Sequence, residues 1–97
     1  MSELVGIHAR RRVSSPAMEC GARWLLEREV PCTARTIYEN MTFKNGKSYR
    51  SSRYAITYGQ FLGRALRSKA FIRTTPRGVK PVMFTSNEEA YGMLRRN

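Results

Sequence analysis

Ser15 and Pro16 open the first clear pattern in the chain: a hydroxyl able to cap a helix, then a proline whose fixed φ suits the first helical position. Behind them Met18, Ala22, Leu25 and Leu26 recur at helical spacing, while Glu19, Arg23 and Glu27 fall towards the other side. This predicts an amphipathic helix over 16–29, with Trp24 at the margin of its apolar stripe. Pro31 disfavours helical geometry at Val30, so the chain is expected to run briefly extended there. Thr33 offers a second cap, for a helix over 34–41 that turns Ile37 and Met41 inward at i,i+4, with Tyr38 completing the face.

Periodicity is weakest over 42–55. Asn45-Gly46, the pair that a type I′ hairpin turn requires, lies between Phe43 and Tyr49. A small hairpin or ordered loop is expected, followed by an exposed basic loop carrying Arg50 and Arg53. A capping box, Thr57-x-x-Gln60, then starts a helix over 58–69. Tyr58, Phe61, Leu62, Ala65 and Leu66 share one face; Gln60, Gly63, Arg64 and Arg67 share the opposite one, with Thr57 at its edge. After Lys69 the pattern becomes that of strands: 71–74 and 82–85 flank a polar stretch with Pro76, Gly78 and Pro81, which reads as a β-hairpin with a basic tip. Ser86-x-x-Glu89 is a second capping box, opening a short helix over 87–95 with Ala90, Tyr91, Met93 and Leu94.

Composition sharpens this picture. At 97 residues, 41% apolar and 26% charged, the chain has room for one globular domain and is not expected to be disordered as a whole. It divides into a flexible basic arm over 1–14 and a single domain over 15–97. No apolar run approaches the roughly 18 residues that span a bilayer, and the N-terminus lacks a signal-peptide core, so the expectation is a cytoplasmic protein with no membrane partner.

Charge is the outstanding feature. Eighteen Lys and Arg face seven Glu, Asp is absent, and the formal net charge is +11. All seven carboxylates lie outside 40–87, a stretch holding ten cations: Lys44, Lys47, Arg50, Arg53, Arg64, Arg67, Lys69, Arg73, Arg77 and Lys80. A solvated helix face normally mixes signs to gain pair energy. A long one-signed stretch accepts self-repulsion instead, which points to a polyanion-binding surface. Arg10, Arg11 and Arg12 form a separate cluster in the arm, suited to phosphates or a minor groove.

Catalysis has little to work with. His8 is the one histidine, there is no Asp, and the acid-free half holds no general base. Cys20 and Cys32 fit no zinc spacing and are expected as two free thiols. No phosphate-cradling glycine loop is present. The expectation is a binding protein rather than an enzyme, with no metal, no organic cofactor and no small-molecule substrate.

The capped helix 57–69 and the hairpin directly behind it, in the order helix, short extended piece, helix, loop, helix, basic hairpin, helix, resemble the winged helix-turn-helix family of DNA-binding domains over roughly 16–86. The resemblance implies a small α+β fold with a three-helix core, a C-terminal β-hairpin wing and a short terminal helix. It implies a double-stranded DNA partner and a role as a small transcriptional regulator, associated with the nucleoid when bound. On that reading helix 58–69 enters the major groove and the wing over 75–81 touches backbone or minor groove. Arg64 and Arg67 would then donate to guanine, Gln60 would pair with adenine, and Gly63 would allow close approach. Thr57 and Tyr58 would meet phosphate at the helix start. Lys69, Arg73, Arg77, Lys80, Arg50, Arg53 and the arm arginines would supply further contacts.

The chain departs from the family over 42–56, about fifteen residues where a short turn is usual. That is either an added basic surface or a sign that 34–41 is not a helix. A palindromic target would bring a homodimer, for which the apolar side of helix 87–95 is the spare surface, although packing on helix 16–29 is equally natural. Two other partners stay open: RNA or the ribosome, and an acidic protein that the basic face would inhibit.

Overall fold

The computed structural model describes residues 15–96, with side chains to Gly92. Among these, the chain forms a small mixed α+β domain of four helices and a three-stranded antiparallel sheet. The order is α1 (Pro16–Leu26), β1 (Cys32–Thr33), α2 (Ala34–Asn40), α3 (Tyr58–Arg67), β2 (Ile72–Arg73), β3 (Met83–Thr85) and α4 (Glu88–Arg96). The last strand is central: β1 pairs with β3 through Cys32–Phe84 and Thr33–Met83, and β2 pairs with it through Ile72–Thr85 and Arg73–Phe84.

Each helix starts where its capping residue predicts, with one exception. Ser15 accepts from the Met18 amide at 3.3 Å, and Thr33 accepts from the Thr36 amide at 3.2 Å. The α3 capping box is complete, Gln60 N–H donating to Thr57 Oγ1 at 3.1 Å and Thr57 N–H to Gln60 Oε1 at 2.9 Å. The exception is α4. Asn87 rather than Ser86 caps it, accepting from the Ala90 amide at 2.8 Å. Ser86 Oγ is buried without a hydrogen-bond partner.

Helix ends fall short of the periodic pattern. α1 stops at Leu26, not 29, because every residue from Glu27 to Pro31 is exposed and adds nothing to the core. The amides of Glu27 and Arg28 close the last turn on Trp24 and Leu25 carbonyls, a tightened i→i+3 finish. α3 stops at Arg67, not 69: Ser68 turns extended, its hydroxyl accepts from the Ala70 amide at 3.2 Å, and the reversal buries Ala70 and Phe71.

Fully buried Leu25, Ile37, Met41, Tyr49, Phe61 and Phe84 form the centre of the core. A line of aromatic rings ties the elements together. Tyr38 on α2 meets Phe61 on α3 at 5.6 Å, Phe61 meets Phe71 edge-on at 5.9 Å, and Phe71 meets Phe84 on β3 edge-on at 5.8 Å. Such pairs add about 0.5–1.5 kcal/mol each beyond area burial. α4 packs against α1 within the same chain, burying Ala90 and half-burying Tyr91.

The segment between α2 and α3 is an ordered insertion, and α2 is a helix. Thr42 bridges Ser48, Phe43 N–H donates to the Lys47 carbonyl and Gly46 N–H to the Phe43 carbonyl, both at 2.9 Å. The loop is therefore three residues, a turn closed by Gly46 at φ +88°, and not the expected type I′ turn, which needs positive φ at Asn45 as well. Tyr49, 1% exposed, plugs this insertion into the core, donating its hydroxyl to the Tyr54 carbonyl while Ser52 donates to the Tyr49 carbonyl.

Candidate nucleic-acid interface

α3 buries Phe61 and Ala65 and half-buries Tyr58 and Leu62, which turns Gln60, Arg64 and Arg67 to solvent. Leu66, expected on the buried face, is instead 47% exposed, since the core side of α3 is already closed by Phe61 and Ala65. Gly63 has open space beside it: a β-carbon there would lie 3.7 Å from Arg67 Nη1, so the Arg67 guanidinium sits along the bare backbone. Gln60 is exposed, but its side-chain oxygen belongs to the helix cap, leaving its amide N–H groups as the outward-facing donors.

Behind α3, Thr74 N–H donates to the Met83 carbonyl at 2.9 Å, and Val79 N–H to the Pro76 carbonyl at 3.1 Å. With Gly78 at φ +83° this is a type II turn, which requires positive φ at its third position. The hairpin tip so built carries Arg77 on the turn and Lys80 just past it, both exposed. Lys69 and Arg73 are exposed between the two elements. All ten cations of 40–87 are exposed, and no carboxylate within that stretch opposes them. Arg10, Arg11 and Arg12 lie outside the described residues.

Two of these cations, Arg50 and Arg53, lie over aromatic rings, as does Arg35 outside that stretch. Arg35 on α2 lies 4.4 Å from the Tyr58 ring centroid, and Arg50 lies 5.6 Å from that of Tyr38. Tyr38 and Tyr58 meet edge-on at 5.6 Å, and Tyr38 donates to the Ile56 carbonyl at 2.7 Å. Arg35, Tyr58, Tyr38 and Arg50 thus form one contiguous group across α2, the insertion and the start of α3. Arg50 and Tyr58 stand out in the sequence as candidates; Arg35 does not, because it neighbours Glu39 and only the helix pairing brings it onto Tyr58. Arg53 stacks over Tyr54 at 5.4 Å, and a hydrogen bond to that tyrosine raises its already high pKa.

Chemically the surface offers exposed guanidinium and ammonium donors, which suit phosphate and base-edge oxygens. Among the described residues no group of His, Cys and Glu is gathered to hold a metal, and no helix is long and apolar enough to cross a membrane. Cys20 and Cys32 are both free; burial raises the Cys20 pKa above its ordinary value, opposed by Arg23 and reinforced by Glu19. Comparison with models of known protein families, with curated proteins and with solved structures returns no match for this chain.

Proposed function

We propose that this protein is a double-stranded DNA-binding module of the winged helix-turn-helix type, acting as a small transcriptional regulator. Supporting it above all is the element order: helix, strand, helix, helix, and two more strands with the last strand central, leaving a basic helix and a basic hairpin tip on acid-free chain. On this reading α3 lies in the major groove, where Arg64 and Arg67 donate to guanine O6 and N7. Thr57 and Tyr58 meet phosphate at the helix start, and Arg77 and Lys80 grip backbone or minor groove. The Arg35–Tyr58–Tyr38–Arg50 group adds phosphate donors beside the α3 N-terminus. The module works in the cytoplasm, on the nucleoid.

The test is a titration at several salt concentrations against a random-sequence duplex pool and a matched RNA pool. Enrichment of one DNA motif is expected. On that motif Arg64→Ala or Arg67→Ala should cost about 1–3 kcal/mol and relax sequence preference, whereas Arg77→Ala or Lys80→Ala should weaken all duplexes alike and lower the salt slope by about 1. Preference for the RNA pool, or no binding to either, overturns the proposal.

A further inference from the structure

The insertion does more than join α2 to α3. Between it and α1 lies an open cleft of about 860 Å³, within the range of small-molecule sites of roughly 300–1,000 Å³. Its walls include Phe43 and Tyr54, which meet edge-on at 6.2 Å, and Cys20. Cys20 is 4% exposed and kept protonated by burial, so it contributes an apolar, unreactive surface. Tyr54 is 51% exposed, so part of its ring remains open to solvent at the cleft.

Polar groups converge on the same space. Lys44 and Lys47 lie on the hairpin at its rim, and Ser48 and Ser51 supply hydroxyls. Arg23 donates to the Thr42 carbonyl, which ties α1 to the hairpin and fixes the guanidinium at the cleft while leaving further donors free. Three cations against the single carboxylate of Glu19 make the lining net positive. Flat aromatic walls, a positive rim and a volume far above one water or inorganic ion define the occupant. The geometry points to a binding site for a small planar organic anion: one or two fused aromatic rings set against Phe43 or Tyr54, with a carboxylate, sulfonate or phosphate at Lys44, Lys47 and Arg23. A concave wall of this volume favours a free small molecule over a passing nucleic-acid strand. The site is separate from the α3 surface, and the inference does not rest on the DNA reading.

The experiment follows backbone amide shifts of the full chain on titration with 2-naphthoate, its neutral analogue 2-naphthalenemethanol, and a short oligothymidylate. The expected result is saturable movement of amides over 19–23 and 43–54 by 2-naphthoate, with the alcohol at least about tenfold weaker, the scale of one charge-assisted contact. Lys44→Glu with Lys47→Glu should abolish that discrimination, both positions being exposed and tolerant. Ser51→Trp, which fills the cleft from an exposed position, should block both naphthalenes. Equal affinity for the two naphthalenes, shifts confined to other regions, or oligothymidylate moving the same amides at lower concentration than 2-naphthoate would each overturn the inference.

Discussion

Gly21 and Gly63 both sit inside helices, and the same substitution is expected to act on them with opposite signs. Alanine in place of a helical glycine gains about 1 kcal/mol from propensity. At Gly63 nothing opposes that gain, since the added carbon meets Arg67 Nη1 no closer than 3.7 Å. At Gly21 it meets Phe71 Cζ at 2.8 Å, Phe61 Cε1 at 3.2 Å and Met41 Sδ at 3.3 Å. None of the three can step aside: Met41 and Phe61 are at most 1% exposed, and Phe71 is held edge-on between Phe61 and Phe84. Overpacking of this kind costs about 1–3 kcal/mol, which leaves a net loss of up to about 2 kcal/mol after the propensity gain. At about 4–8 °C per kcal/mol for a domain this size, Gly63→Ala should raise the thermal midpoint by several degrees and Gly21→Ala should lower it. Far-UV circular dichroism melts measure both. A rise for Gly21→Ala would refute the close packing of α1 on α3 and Phe71, and a fall for Gly63→Ala would refute the open face. Gly63→Ala carries a second readout. If the bare backbone serves close approach to DNA, the more stable variant binds its duplex less tightly; unchanged affinity removes that role.

Alkaline pH should weaken the fold. Burial raises the Cys20 thiol and the Tyr49 phenol above their ordinary 9.0 and 10.0, so the unfolded chain ionises first. The stability these groups contribute is whole below those values and is lost as pH climbs past them, so the urea midpoint should hold up to about pH 8.5 and fall above about pH 9. Tyr49→Phe should remove the upper part of that fall, and a midpoint constant up to about pH 11 would refute the burial of both groups. The two thiols should also separate kinetically: Cys32, half-buried, alkylates before Cys20 when peptides are mapped by mass spectrometry, and the reverse order would mean that α1 does not pack as described.

Local signals in the sequence transferred well to the structure, and cooperative ones did not. Ser15, Thr33 and the Thr57–Gln60 box mark helix starts because a cap is a contact between residues three apart. The core residues Ile37, Met41, Phe61 and Ala65 follow from helical phase alone. What failed depends on distant chain. Leu66 continues the apolar stripe of α3, yet it stays exposed because Phe61 and Ala65 already close the core side of that helix. Ser86 has the spacing of a capping box, but β3 runs through Thr85 and draws the serine into the interior, so Asn87 becomes the cap. In the insertion, Asn45-Gly46 announces a turn but not its type, which is set by the Phe43–Lys47 pairing. The candidate surface was legible as charge, not as geometry. The acid-free run marks the ten cations, while the place of Arg35 on Tyr58 comes from the packing of α2 on α3.

The way four of the exposed arginines are held, two of them in the acid-free run, bears on what they can do. A salt bridge orders a guanidinium at the expense of its field, since the carboxylate cancels the charge. Stacking on an aromatic face orders it with the charge intact and the in-plane N–H donors still available. Arg28 on Trp24, Arg35 on Tyr58, Arg50 on Tyr38 and Arg53 on Tyr54 use that second device. Among the described residues, Arg35 is the member of this group with an ion pair, to Glu39 at 3.5 Å and with both side chains well exposed, where the pair is worth little. An exposed cation–π contact contributes about 0.5–1 kcal/mol, close to the roughly 0.5–1.5 kcal/mol that immobilising such a side chain costs on binding. Each such contact offsets much of that ordering cost and leaves the positive potential undiminished. The tyrosines beside Arg35, Arg50 and Arg53 thus hold guanidinium groups at set places with their charge and in-plane donors intact.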